Sequence, residues 1–296
     1  MFRPVISGEK RPPARARRLR TPPLAALRFA IRGLSRISPS AAASLAMRLF
    51  MTPPRYIPSE REAATLRSAA PVPIAFEGGE LQGWSWGEGR TILLVHGWGG
   101  RASQMTAFVP PLLERGFRVI AFDGPAHGHS AGRRSSLMAF VRAILACSER
   151  FGPFEAIVAH SMGTAATIMA LDRGVKVSAV VLFGPTARPG EYIQRFTSII
   201  GLSERAGILM QKRLGERYKL RWEDVDMPRI ASSLTIPAII FHDRDDEDAA
   251  WKDGSEIARA WPGAELVTTN GLGHRRILRE PAVVARVVEW IGRMER

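Results

Sequence analysis

One stretch constrains this chain more than any other: residues 153–174, PFEAIVAHSMGTAATIMALDRG. Ala156-Ile157-Val158-Ala159 has the length and branching of a buried strand. It runs without a break into His160-Ser161-Met162-Gly163. From Thr164 the pattern is helical, with Ile168, Met169 and Leu171 apolar and Gly174 placed to stop the helix. A strand that turns at once into a helix around x-Ser-x is a nucleophile elbow. The turn is so tight that the residues two before and two after the serine must be small, and Ala159 and Gly163 are. The commoner string, G-x-S-x-G, has glycine at the first of these positions. Such a turn lifts the Ser161 hydroxyl above the sheet edge. It leaves the Met162 N–H at a helix N-terminus, where negative charge is stabilised. Taken alone the string also fits a serine that merely caps a helix. Its meaning depends on the rest of the chain.

The 296 residues are 46% hydrophobic, enough for one large α/β domain with a full core. No apolar run approaches the length of a membrane span. A net charge of +14 would suggest a nucleic-acid partner if it were spread over the chain. It is not. Residues 1–67 carry +11 and residues 68–296 only +3, so the basicity belongs to an N-terminal arm.

Residues 1–23 are rich in Arg and Pro with almost nothing to bury, and disorder or loose attachment is expected there. From Leu24, LAALRFAIRGLSRI sets Leu24, Leu27, Ile31 and Leu34 at helical spacing, with Arg28, Arg32 and Arg36 on another face. That pattern is a short basic amphipathic helix. Residues 41–51 make a second apolar helix, stopped by Pro53-Pro54. Arg28 and Arg32 interrupt what would be the apolar centre of a secretory signal. Ser59-Glu60-Arg61-Glu62 is a capping box opening a further short helix. The arm, residues 1–71, therefore offers two roles: contact with an anionic membrane surface, or packing on the body. A nucleic-acid partner is not expected, because no aromatic interleaving or reading motif accompanies the charge. Cys147 is the only cysteine, which rules out an intrachain disulfide and is compatible with a reducing compartment. It falls in a helical stretch, 136–151, as a buried thiol. A cytoplasmic location is expected, peripheral to a membrane if the arm binds one. The oligomeric state is not legible.

The body, 72–296, reads as strands alternating with helices. Residues 72–76 and 81–86 form a hairpin about Glu77-Gly78-Gly79-Glu80. Residues 91–95 (TILLV) are a continuous apolar strand ending in His96-Gly97-Trp98-Gly99-Gly100, and a helix is expected from there to about Arg115. Strand 117–122 ends in Asp123-Gly124-Pro125-Ala126-His127-Gly128-His129-Ser130, and helix 136–151 precedes the elbow strand. Strands follow at 177–182, 237–241 and 265–268, and a helix at 281–294 closes the chain. Such alternation argues for a parallel sheet with right-handed crossovers and antiparallel strands at the N-terminal edge alone. Residues 186–233 interrupt the rhythm with helix formers. Ile193, Phe196, Ile199 and Ile200 mark one apolar face, and Ile208, Leu209 and Leu214 another, as in a helical lid.

With these motifs in order the chain resembles an α/β-hydrolase, from about residue 72 to the C-terminus, the lid excepted. His96-Gly97 closes the third strand, Asp123 with Gly128-x-Ser130 follows the fourth, and Ser161 sits in the elbow. An acid after the penultimate strand and a histidine after the last complete the set. A serine hydroxyl needs a base to take its proton, and the base needs an acid behind it. The family order is Ser, acid, His. Two histidines follow Ser161: His242 ends an apolar strand directly, while His274 lies in the loop Asn270-Gly271-Leu272-Gly273-His274. The loop is the place for a base, which selects His274.

The stretch Asp243-Arg244-Asp245-Asp246-Glu247-Asp248 offers five carboxylates. The family usually has glycine where Asp243 stands and the acid three residues on, which implies Asp246, with Asp245 as runner-up. The remaining carboxylates are expected to cap the following helix. Met162 supplies one oxyanion-hole N–H, and the resemblance implies Trp98 for the other. His96, His127, His129 and His160 stand at strand ends, where each is expected to shape a loop. No metal is expected, since no ligand spacing is present.

The resemblance implies a serine hydrolase acting on a carboxylic ester or thioester through an acyl-Ser161 intermediate, without cofactor. The apolar lid faces suggest an acyl or other apolar small-molecule substrate. Acyl transfer, amide hydrolysis and C–C bond hydrolysis use the same three residues and stay open. A non-catalytic, membrane-associated binding protein on the same body is the reading from another class, and the intact Ser161, Asp246 and His274 set argues against it.

Overall fold

The computed structural model of the protein describes residues 3–7, 24–56 and 59–294. The chain forms two compact units: Met1–Pro12, Pro54–Ala187 and Met227–Arg296 make the larger, and Pro13–Pro53 with Arg188–Asp226 the smaller. The strands are β1 (Arg3–Ser7), β2 (Ala70–Phe76), β3 (Gly79–Trp86), β4 (Thr91–Val95), β5 (Arg118–Phe122), β6 (Phe154–His160), β7 (Val177–Phe183), β8 (Ala238–Asp243) and β9 (Glu265–Asn270). The helices are α1 (Leu24–Ile37), α2 (Pro39–Phe50), α3 (Glu60–Arg67), α4 (Val109–Leu113), α5 (Leu137–Phe151), α6 (Met162–Leu171), α7 (Glu191–Ile200), α8 (Glu204–Tyr218), α9 (Met227–Ala231), α10 (Trp251–Ala260), α11 (Gly273–Arg276) and α12 (Pro281–Arg293).

Among the described residues of the larger unit nine strands join one sheet, in the order β1-β9-β8-β7-β6-β4-β5-β3-β2. Only β2 and β3 run antiparallel, as a hairpin with β3 against β5. The strands from β4 onward are almost wholly apolar and buried, as two covered faces require. On one face Ile92, Leu94, Val119, Val158, Val181 and Phe241 pack with Phe108, Leu112, Val287 and Ile291. α5 and α6 pack against each other in the same unit, with Phe140, Ile144 and Ile168 buried.

From β4 the chain passes to β5 on one side, and from β6 to β7, β8 and β9 on the other. β4 and β6 are neighbours, with Val95 opposite Ala159. Their carboxyl ends therefore mark the switch point of the sheet, where open α/β sheets bind ligands.

Two local expectations change. Residues 102–113 form a 3-10 stretch, Ala102–Phe108, and then the short α4, because Pro110 and Pro111 lack the N–H groups a longer helix would need. Arg3–Ser7, expected to be disordered or loosely attached, runs parallel to β9 at the sheet edge, with Ile6 opposite Thr269. The unpaired side of β9 offered it a ladder, and Val5-Ile6 suits a strand. The rest of the expected disorder, residues 8–23, lies outside the described residues.

The units also divide elsewhere than residue 71. α3 belongs to the larger unit: Ser59 caps it as expected, and Glu62 pairs with Arg101 at 2.8 Å. α1 and α2 instead pack with α7 and α8 in the smaller unit. Ile31, Ala42, Ala43, Ala46 and Met51 form one core with Ile193, Ile200, Ala206, Met210 and Leu214. Alanines on α2 let α8 approach closely, and Arg213 closes the pair with hydrogen bonds to the Ser40 carbonyl (2.8 Å) and the Ser44 hydroxyl (2.7 Å). The apolar stripes read as lid faces are thus largely spent on the arm's own helices. Ile199 and Ile208, assigned to those stripes from the sequence, are 46% and 61% exposed.

Candidate functional site

All five candidate residues stand at or just beyond carboxyl ends of strands in the larger unit. Ser161 sits between β6 and α6 with φ +54° and ψ −126°, a region non-glycine residues rarely enter. Both sides hold it there. Its N–H donates to the Phe183 carbonyl of β7 (2.9 Å), and its own carbonyl accepts from the Thr164 N–H (2.8 Å) and hydroxyl (2.6 Å). The size limit at Gly163 comes from β4, since a Cβ there would stand 2.6 Å from the His96 carbonyl. A Cβ on Gly97 would stand 2.7 Å from the Ser161 Cβ, so the His96–Gly100 loop lies directly against the serine. Met162 is the first residue of α6, where N–H groups have no intrahelical acceptor.

The loop that carries Trp98 is fixed by histidines. His96 donates from Nδ1 to the Gly97 carbonyl (2.7 Å) and accepts the Gly124 N–H at Nε2 (2.8 Å). His127 donates from Nδ1 to the Pro125 carbonyl (2.9 Å) and accepts the Gly99 N–H at Nε2 (3.0 Å), with its ring edge-on to Trp98 at 5.2 Å. Burial lowers the pKa of His96 and pushes that of His127 down to about 3, so both rings are neutral, as these bonds require. Asp123 accepts the N–H groups of Ala102 (2.8 Å) and His129 (2.7 Å). These residues shape loops, as expected. Among the described residues no group of three His, Cys, Asp or Glu is placed to hold a metal ion.

The acid cluster separates cleanly. Asp246 Oδ2 lies 2.7 Å from His274 Nδ1, and its Oδ1 accepts the N–H groups of Asp248 (2.9 Å) and Ala249 (2.8 Å). Burial alone would raise this carboxyl, but bonds from His242 and His274, the His274 charge and the Ala249 N–H outweigh it and hold the pKa below the carboxylate range. With Nδ1–H committed to Asp246, His274 keeps Nε2 as its basic nitrogen. Asp243 and Asp245 do not cap α10, which begins at Trp251 after Ala250, with no side-chain cap. They hold the turn that presents His274. Asp243 accepts the Thr269 hydroxyl (2.6 Å) and the Leu272 N–H (3.0 Å), and Asp245 accepts the Gly271 N–H (2.8 Å). The aspartate where glycine is usual is therefore a loop anchor.

Gly184 escaped the sequence reading, and two histidines that this reading does not select as the base stand beside the pair. Gly184, just past β7, has φ +50°, and a Cβ there would stand 3.0 Å from both Asp246 Oδ2 and His274 Nδ1. Only glycine lets the pair settle onto that strand end. His242 is fully buried, with Nε2 3.1 Å from the Ala249 carbonyl and 3.5 Å from Asp246 Oδ2. His160 donates from Nε2 to the His274 carbonyl at 2.8 Å. This is the loop-shaping role expected of it, and the loop is the one that carries His274. The structure thus joins Asp246 to His274, and His274 to the residue preceding Ser161.

An open parallel sheet with a strained serine at its switch point and an Asp–His pair beyond the following strands defines an α/β hydrolase. The chain belongs to the alpha/beta hydrolase family, whose model matches residues 92–287. It is 33% identical over 153 residues to a serine hydrolase-like protein of Danio rerio, covering 46% of this chain and 44% of that one. Over 149 residues it is 34% identical to the dihydrolipoyllysine-residue acetyltransferase component of the acetoin cleaving system of Pseudomonas putida, covering 46% and 40%. The chain thus spans less than half the length of these curated relatives. Among solved structures, an esterase of Pyrococcus furiosus superposes with a TM-score of 0.63 at 20% identity, over 82% of this chain and 98% of that one, a likeness of fold. No helix among the described residues is long and apolar enough to cross a membrane.

Proposed function

We propose that the protein is a serine hydrolase that cleaves a carboxylic ester or thioester through an acyl-Ser161 intermediate. The observation that carries this reading is the 2.7 Å Asp246–His274 pair, one hydrogen bond away from the elbow that strains Ser161. Ser161 Oγ adds to the carbonyl carbon while its proton passes to His274 Nε2. Asp246 holds the Nδ1–H tautomer and stabilises the imidazolium. The carbonyl electron pair moves onto oxygen, which the N–H groups of Met162 and Trp98 receive. As the tetrahedral intermediate collapses, His274 returns the proton to the departing alkoxide or thiolate. Water then repeats the addition at the acyl carbon, giving its proton to His274, and the acid leaves as Ser161 recovers its hydroxyl. No cofactor takes part.

The test is labelling by a fluorophosphonate probe, followed by esters and thioesters of increasing acyl length. The length series is needed because the apolar stripes of the inserted helices are largely buried in their own unit. Ser161→Ala should abolish labelling and lower turnover by about four decades or more while the fold is kept. Undiminished turnover in Ser161→Ala would overturn the proposal.

A further inference from the structure

Two large apolar side chains of α1 stand in water. Phe29 is 83% exposed and Ile37 85%, while Ile31 and Ser35 on the opposite side are buried. At about 100° per residue Ala26 and Gly33 fall in the arc between Phe29 and Ile37, Ala30 falls just past Ile37, and Arg36 and Arg32 line the edge past Phe29. α2 has a similar exposed composition, with Leu45 and Leu49 one turn apart and Arg48 beside them. Neither helix has an acidic residue. Arg36 and Arg48 enter no ion pair among the described residues.

We infer that the outward face of α1 docks on an anionic lipid bilayer, with Phe29 and Ile37 entering the acyl boundary and the flanking arginines among the lipid headgroups. This is not the face that periodicity alone would choose. Leu27, Ile31 and Leu34, the obvious oily stripe, pack into the core of the smaller unit. What remains is a protruding apolar pair with cations along one edge, the pattern of an interfacial helix. A second copy of the chain would bring arginine against arginine. The basic segment at residues 8–23 would do the same. Nucleic acid would match the charge and leave Phe29 and Ile37 in water.

The experiment is co-sedimentation of the full-length protein with phosphatidylcholine vesicles, with and without phosphatidylserine. Wild type should pellet with the phosphatidylserine vesicles alone, and added salt should release it as screening shortens the reach of the arginines. Phe29→Ser/Ile37→Ser should bind about tenfold or more weakly, and Phe29→Trp should bind more tightly because Trp favours the interface. Both side chains are exposed, so circular dichroism and probe labelling should match wild type. Equal binding to both vesicle types would overturn the inference. So would wild-type affinity in the double variant, because the charge of the arm alone would then account for attachment. A wild-type dimer that the double variant makes monomeric, in sedimentation velocity, would assign the face to self-association instead.

Discussion

The Nε2 of His160 lies 2.8 Å from the backbone carbonyl oxygen of His274, with 4.5 Å between the ring centroids. The side chain just before the elbow serine therefore supports the loop that bears the other histidine. Burial, with the charge of His274 adding to it, drives the His160 pKa well below its ordinary value, so a neutral ring donates this bond.

His160→Ala should lower kcat by about 100-fold, the scale of a misplacement of about 1 Å, with KM little changed. His160→Asn, which keeps a donor, should recover part of it. Wild-type kcat in the alanine variant would show that the bond positions nothing.

Asp246→Asn should cost about 10⁴ in kcat, nearly as much as His274→Ala, because each leaves Ser161 without a competent base. Asp243→Asn should act differently. It weakens a buried carboxylate that accepts three donors, and about 1–3 kcal/mol of stability should be lost while most activity remains. Denaturant titration beside steady-state kinetics separates the two. An Asp245→Asn variant as inactive as Asp246→Asn would shift the acid by one position.

A methyl group at residue 184 should disable the site. Gly184→Ala would crowd both members of the Asp–His pair, and about a 100-fold loss of kcat is expected. Gly174→Ala is the control: its φ of +91° lies further outside the range open to alanine, yet nothing lies within 4 Å of the added carbon, so it bears at least as much backbone strain without the crowding. Equal kinetics in the two variants would mean that strain alone, and not contact with the pair, governs position 184.

Stability should fall as pH drops below about 6.5. His96, His127 and His160 are buried with lowered pKa values, so each is neutral when folded and takes up a proton once unfolded. Their contribution is complete above the unfolded value of 6.5 and is lost as pH falls toward the folded values. Each such proton adds about 1.4 kcal/mol per pH unit to the slope. Half-exposed His129, whose pKa is raised by its bond to Asp123, opposes this weakly. Urea midpoints that stay flat between pH 7 and 5 would mean that these rings are charged in the fold.

The elbow was legible because a buried strand running straight into a helix admits few side chains around the turn, and Ser161 and Gly163 carried that pattern locally. His274 was legible for a related reason: a glycine-rich loop after the last strand leaves few alternatives. Gly184 was not. Its constraint comes from Asp246 and His274, some 60 to 90 residues further on, and nothing near it in the chain reports their approach. The aspartate cluster was half legible, since spacing singled out Asp246 while the donors that occupy Asp243 and Asp245 arrive from β9 and its loop. The role of the arm stayed open in the sequence because periodicity shows that a helix has an oily side without showing what meets it. Ile31 meets Ile193 and Ile200 across a gap of more than 150 residues.

That gap sets a timetable for synthesis. α1 and α2 leave the ribosome about 140 residues ahead of α7, a wait on the order of ten to thirty seconds at ordinary elongation rates. Throughout it Ile31, Ala42, Ala46 and Met51 lack their partners on α7 and α8, and the nascent chain presents an apolar, arginine-studded hairpin to whatever surrounds it. Closure waits for Arg213 to reach Ser40 and Ser44. Chains stalled near residue 180 should therefore be cut by protease within α1 and α2, and chains stalled well past residue 260, with residue 226 clear of the exit tunnel, should be protected. A chaperone that reads short apolar helices would have its chance in that interval and lose it once α8 emerges.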